Sequence, residues 1–151
     1  AAGGVNDVLA EKLALSAVDA PGGGFLRVGE LAKPMSADEL AAMVKKNLPV
    51  DHVRLVRSGD GHIKKVALCG GSAAEFIETA HKLDAQAFVT GDVRYHDAQK
   101  AVALGLHIID AGHFGTEYPA VLALAENLRR HLPENVPVVT DMAARDLFVA
   151  L

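Results

Sequence analysis

The stretch Asp110-Ala-Gly-His113-Phe-Gly-Thr116-Glu117 carries the side chains best suited to chemistry in this chain. An imidazole nitrogen and a carboxylate oxygen four residues apart can converge on one divalent ion. Gly112 and Gly115 flank His113 and hold its loop open. Each residue also has a plainer reading. His113 can be an exposed loop residue, and Glu117 a first-turn carboxylate favoured by the helix dipole. Spacing alone favours the plainer readings. Two side chains also cannot complete a site, because a catalytic zinc-type centre takes about three protein ligands. Two-metal centres add bridging carboxylates.

Two companion motifs favour a site. Thr90-Gly91-Asp92 is followed by Tyr95-His96-Asp97. His96, with Asp92 and Asp97 beside it, is the candidate acid or base. Asp92 contacts substrate, adds a metal ligand, as His96 also could, or caps the following helix. Gly70-Gly71-Ser72 reads as a tight turn, after which free N–H groups at the start of the following helix could hold an anion such as phosphate, with the turn residues and Thr90 as further contacts. Its plainer reading is a turn that needs glycine anyway. His52, His62, His81, His107 and His131 read as surface or partly packed residues.

These motifs need a scaffold, and the chain supplies one by alternation. Lys65 to Cys69 reads as an apolar strand, and Ala85 to Thr90 and His107 to Asp110 as further strands. The helices between and after them run from Ala73 to Leu83, from Asp92 to Leu104 with Gly105 as C-cap, and from an N-cap at Thr116 to Leu132. Pro119 falls in the first turn of the last helix, where proline is tolerated. Upstream, Val5 to Leu15 reads as a helix, broken by Pro21-Gly22-Gly23-Gly24. Phe25 to Gly29 alternates as a strand. Ser36-Ala-Asp-Glu39 is a capping box, stapled by Met35 and Leu40, that opens a helix from Ala37 to Leu48 ahead of Pro49. His52 to Arg57 and Val136 to Thr140 read as further strands. Met142 to Leu151 carries no clear pattern.

Strands alternating with helices imply an α/β fold with a mainly parallel or mixed sheet flanked by helices. In such sheets ligands bind at the carboxyl ends of the strands. All three motifs follow strands, so they share that edge.

Composition narrows the function. The chain has 151 residues, the size of one domain, and 50% hydrophobic residues exclude disorder. Its 15 basic and 19 acidic residues are well mixed, with net charge −4, which argues against general nucleic-acid binding. The single cysteine, Cys69, allows no internal disulfide and fits a reducing, cytoplasmic setting. No apolar run approaches the roughly 18 residues of a membrane span, and no signal-peptide pattern is visible. A small-molecule substrate remains.

The segment from Cys69 to Leu128, "CGGSAAEFIETAHKLDAQAFVTGDVRYHDAQKAVALGLHIIDAGHFGTEYPAVLALAENL", resembles the C-terminal half of the NIF-three-like family. These are the dinuclear-metal-centre proteins also called GTP cyclohydrolase I type 2 homologues. The opening Gly3-Gly4-Val5-Asn6-Asp7, and Gly29-Glu30-Leu31 with Pro34-Met35, are similar to segments that family carries mid-chain. The resemblance implies a two-lobed α/β protein assembled as a toroidal homohexamer. It implies two divalent metals per full-length subunit, zinc, iron or manganese. His113 and Glu117 match the family's His-x-x-x-Glu ligands, and His96 matches a histidine near its cavity that could carry protons. The family name implies hydrolytic opening of a purine ring, hence a nucleotide substrate.

The family's remaining ligands, a His-His pair and an aspartate, lie upstream of the segment with which this chain begins. The expectation is therefore a single unit, residues 1–151, corresponding to the C-terminal portion of a two-lobed protein with the N-terminal lobe absent. The tail Asp141-Met-Ala-Ala-Arg-Asp-Leu-Phe148 also departs from the family pattern. A metal-dependent hydrolase leads. A non-enzymatic metal-binding or regulatory scaffold stands second. A flavodoxin-like nucleotide module is third, because it leaves His113 and Glu117 without a role.

Overall fold

The computed structural model describes residues 3–21 and 24–149. In chain order its elements are α1 (Val5–Lys12), β1 (Ser16–Asp19), β2 (Arg27–Met35), α2 (Ala37–Asn47), β3 (Arg54–Val56) and β4 (Ile63–Ser72). They continue as α3 (Ile77–Lys82, preceded by a short 3-10 turn at Ala74–Phe76), β5 (Ala87–Gly91), α4 (Tyr95–Ala103), β6 (His107–Asp110) and α5 (His113–His131). Gly22 and Gly23 of the glycine-rich break, and Ala150 and Leu151 of the tail, lie outside the described residues.

Six strands form one mixed sheet in the order β1-β2-β4-β5-β6-β3. β4, β5 and β6 run parallel, while β1, β2 and β3 add antiparallel edges. Every residue of β5 and β6 is buried, as a strand covered on both faces requires. One face packs α1 and α2 through Leu9, Leu40 and Val44 against Leu68, Val89 and Ile109. α5 lies beside α1 and β4. The other face packs α3 and α4 through Ile77 and Ala101 against Phe88 and Ile108. The capping box forms as the sequence implies. Glu39 N donates to Ser36 Oγ at 3.2 Å, and Ser36 N donates to Glu39 Oε2 at 2.7 Å. Among the described residues no helix is long and apolar enough to cross a membrane.

Four expectations need correction. Gly70-Gly71-Ser72 is not a turn but the end of β4, and α3 starts correspondingly late, at Ile77. Leu68 pairs with Val89 and Ser72 with Gly91, so Cys69, Gly70 and Gly71 stand opposite Thr90 alone. That is a bulge, a feature common beside active sites. Asp92 does not open α4, because its φ of +55° is incompatible with a helix. Thr116 is not the N-cap of α5, whose cap is Gly112, four residues earlier. Pro119 therefore sits inside the helix rather than in its first turn. Val136 to Thr140 pairs with no strand. Pro137 interrupts it and removes a ladder donor, and Arg129 Nη2 instead holds Val138 O at 3.2 Å. β1 escaped the sequence reading because all four of its residues are exposed, so no alternation marks it.

Candidate functional site

The helix α5 begins at His113, so His113 and Glu117 fall one turn apart on the same face. His113 Nε2 lies 3.3 Å from Glu117 Oε2, and His113 Nδ1 lies 2.8 Å from Asp92 Oδ2. The ring is thus held between two carboxylates, Asp92 from the loop after β5 and Glu117 from its own helix. The hydrogen bond to Asp92 raises the His113 pKa above its ordinary value; partial burial opposes this, and the Glu117 charge adds to it. With Asp92 on Nδ1–H, Nε2 is the nitrogen left free toward Glu117.

The β4 bulge brings Gly71 against this pair. Its φ is +69°, a conformation glycine adopts freely. A Cβ built there would lie 2.6 Å from Glu117 Oε1 and 3.3 Å from His113 Nε2. The space in front of the two donors therefore depends on residue 71 having no side chain. Two buried threonines fix the bulge. Gly71 N donates to Thr116 Oγ1 at 2.9 Å, and Thr90 Oγ1 donates to Gly71 O at 3.1 Å. Gly91 at the end of β5 meets the start of α5 backbone to backbone. A Cβ there would lie 2.6 Å from Gly112 C and 2.8 Å from His113 N.

His113, Glu117 and Asp92 open onto a cavity of about 1000 Å3, which Tyr118 and Arg54 also line. An imidazole nitrogen and a carboxylate that share open space are a donor set for a divalent ion. Among the described residues no third His, Cys, Asp or Glu joins them to make a three-ligand cluster. Asp92 is committed to His113 Nδ1.

His96 is exposed on α4, with Nδ1 3.0 Å from Gln99 Oε1, and does not line the cavity. Thr90 is fully buried and acts as a strut of the bulge. The helix expected directly after Gly70-Gly71-Ser72 starts only at Ile77, and the N–H groups of the two glycines are already taken. Gly70 N already donates to Asn6 Oδ1 at 2.7 Å and Gly71 N to Thr116, while Ser72 closes the strand against Gly91. Asp110 received no role from the sequence, yet it is 4% exposed and accepts bonds from both loops of the site. A carboxylate ending an apolar strand was the available signal.

Residues 1–145 match the family model described as Duf34/NIF3 (NGG1p interacting factor 3). The chain belongs to the DUF34/NIF3 family. Among NIF3-family relatives, a protein of Clostridium perfringens named GTP cyclohydrolase 1 type 2 homolog is 34% identical over 97% of this chain and 58% of its own length. A protein of the same name from Nostoc is 37% identical over 83% of this chain and 51% of its own. This chain thus spans little more than half of either relative. Among solved structures, a Bacillus cereus protein related to NIF3 superposes with a TM-score of 0.79 at 31% identity, over 85% of this chain and 36% of that one. Reduced HcgD from Methanocaldococcus jannaschii gives 0.76 at 28% identity, over 86% and 52%. The Staphylococcus aureus protein SA1388 gives 0.84 over 99% of this chain and 65% of that one, at 23% identity, and so attests the NIF3 fold.

Proposed function

We propose that this chain carries one side of the metal site of a divalent-metal-dependent hydrolase of the GTP cyclohydrolase 1 type 2 homologue kind. Its ligands are His113 through Nε2 and Glu117 through its carboxylate. The observation that carries the reading is the convergence of these donors on space that only glycine at 71 leaves open. Asp92 is the partner that orients the imidazole, since metal-bound histidines donate their other N–H to such a group. When bound, a zinc, iron or manganese ion acidifies water toward a pKa of ~7 and polarises the bond under attack. The cavity admits a small molecule, and the names of the relatives point to a nucleotide. His96 stands outside the cavity on α4 and receives no step within this chain.

Two donors are fewer than the roughly three protein ligands of a catalytic centre. The remainder come from the part of the protein that the relatives have beyond this span, or from a neighbouring subunit of a cytoplasmic homohexamer. The two-donor geometry also favours a second reading, a non-enzymatic metal-binding scaffold. One series separates the two. The hydrolase reading expects Zn2+- or Mn2+-dependent turnover of GTP, abolished by chelator and by His113→Ala or Glu117→Gln. Metal binding lost in the same variants, with no turnover of any nucleotide in the wild type, establishes the scaffold. Nucleotide binding indifferent to chelator and to both variants refutes both.

A further inference from the structure

We infer that Asp110 is a positioning residue, clamping the two loops that carry Asp92 and His113 so that the imidazole presents Nε2 to Glu117. Asp110 ends β6 and is 4% exposed, so its carboxylate must be satisfied within the protein. Oδ1 accepts from Gly112 N at 2.9 Å. Oδ2 accepts from Val93 N at 2.9 Å and from Arg54 Nη2. Val93 directly follows Asp92, and Gly112 directly precedes His113. One carboxylate therefore fixes the peptides next to both members of the His113–Asp92 pair.

Arg54 completes the clamp. Antiparallel pairing of β3 with β6 sets Arg54 opposite Asp110. Its Nη2 also donates to Val93 O at 2.9 Å. The peptide units on either side of the Val93 Cα are thus held, N–H by Asp110 and C=O by Arg54. This grip falls where the backbone needs it. Asp92 has φ +55° and Gly112 φ +73°, and a left-handed non-glycine residue persists only where its surroundings impose it. Released, the loop at Asp92 has no comparable reason to aim Oδ2 at His113 Nδ1.

The test is Asp110→Asn. An amide has one accepting oxygen and two donors, so it cannot accept at both ends. Whichever way it turns, its NH2 faces a donor, either Gly112 N–H or the Val93 and Arg54 pair. The first readout is the imidazole 15N spectrum of His113 in metal-free protein at fixed pH. At a pH alkaline enough for the ring to be neutral in both proteins, wild type is expected to show one tautomer, protonated at Nδ1 toward Asp92, and the variant a mixture. A role confined to stability would lower the melting temperature and leave the tautomer alone. The second readout is Zn2+ affinity, which rests on the metal reading above and is expected to fall about 10–100-fold. A folded variant with the wild-type tautomer and affinity overturns the inference. A scrambled tautomer in a protein that never bound Zn2+ upholds Asp110 and removes the metal reading instead. Should Asp110→Asn not fold, Arg54→Gln is measured. It frees Val93 C=O and leaves only the two backbone bonds on the Asp110 carboxylate, so a partial mixture of tautomers is expected. A folded Arg54→Gln protein with the unmixed wild-type spectrum would overturn the clamp.

Discussion

Gly71→Ala separates the site from the fold. The new Cβ would lie 2.6 Å from Glu117 Oε1 and 3.3 Å from His113 Nε2, with the backbone still at φ +69°. A left-handed alanine costs roughly 1–2 kcal/mol. Reduced freedom of the unfolded chain offsets about 0.4–1 kcal/mol of that. The clash itself falls on the far end of a glutamate whose side chain is 46% exposed, so rotation of Glu117 relieves it. The net cost is about 1 kcal/mol, or a melting temperature lowered by about 2–4 °C at this chain length. The site suffers far more. Glu117 must leave the position from which it faces His113. Disturbing an outer-shell partner alone costs about 10–100-fold in metal affinity, and displacing a ligand costs at least as much. Isothermal titration of Zn2+, paired with calorimetric melting of the same samples, reads both quantities. A near-native melting temperature with Zn2+ affinity at least ~10-fold weaker is expected. Unchanged affinity would refute the claim that Gly71 makes room for the ion.

Gly91→Ala should behave in the opposite way, because its Cβ meets backbone atoms of Gly112 and His113 that cannot rotate aside. A loss of about 3 kcal/mol or more is expected, lowering the melting temperature by about 6–12 °C; a neutral result would show that α5 can shift freely. Asp92→Asn keeps the shape but can no longer accept with charge from His113 Nδ1–H, so Zn2+ affinity should fall about 10–100-fold with stability nearly unchanged, and an unaltered titration would remove Asp92 from the site. Asp7 bonds the buried Arg27 at 2.5 Å, and that bond holds its carboxyl below the ordinary value of 3.8. A depressed carboxylate stabilises the fold above its unfolded pKa, and the contribution is lost as pH falls through the lower, folded one. Asp7→Asn should therefore cost about 1.5–3 kcal/mol near neutral pH, and the gap to wild type should close in acid below about pH 4. A gap that stays constant with pH would show that the ionised pair contributes nothing.

Local signals in the sequence placed most of the scaffold. Ser36 and Glu39 mark the start of α2 three residues apart, and β6 from His107 to Asp110 shows itself by two adjacent β-branched isoleucines. The spacing of His113 and Glu117 is local too, and it survived although α5 starts earlier than Thr116 suggested. What was not legible depends on partners far along the chain. A Gly-Gly pair serves a turn and a bulge equally well, and only the register against β5 distinguishes them. Asp92 reads as a helix cap because caps are local, whereas its actual partner lies 21 residues away. Asp110 gathers partners from β3, from the loop after β5 and from its own loop, a set no spacing rule contains. Pro137 was the visible warning against a strand from Val136 to Thr140.

The most direct test of the metal site is a native mass spectrum of the protein purified with Zn2+, alongside His113→Ala and Glu117→Gln. Bound metal in the wild type, absent from both variants at the same subunit count, is the predicted result. Equal metal in all three proteins, or none in the wild type, would contradict the assignment of His113 and Glu117 as ligands.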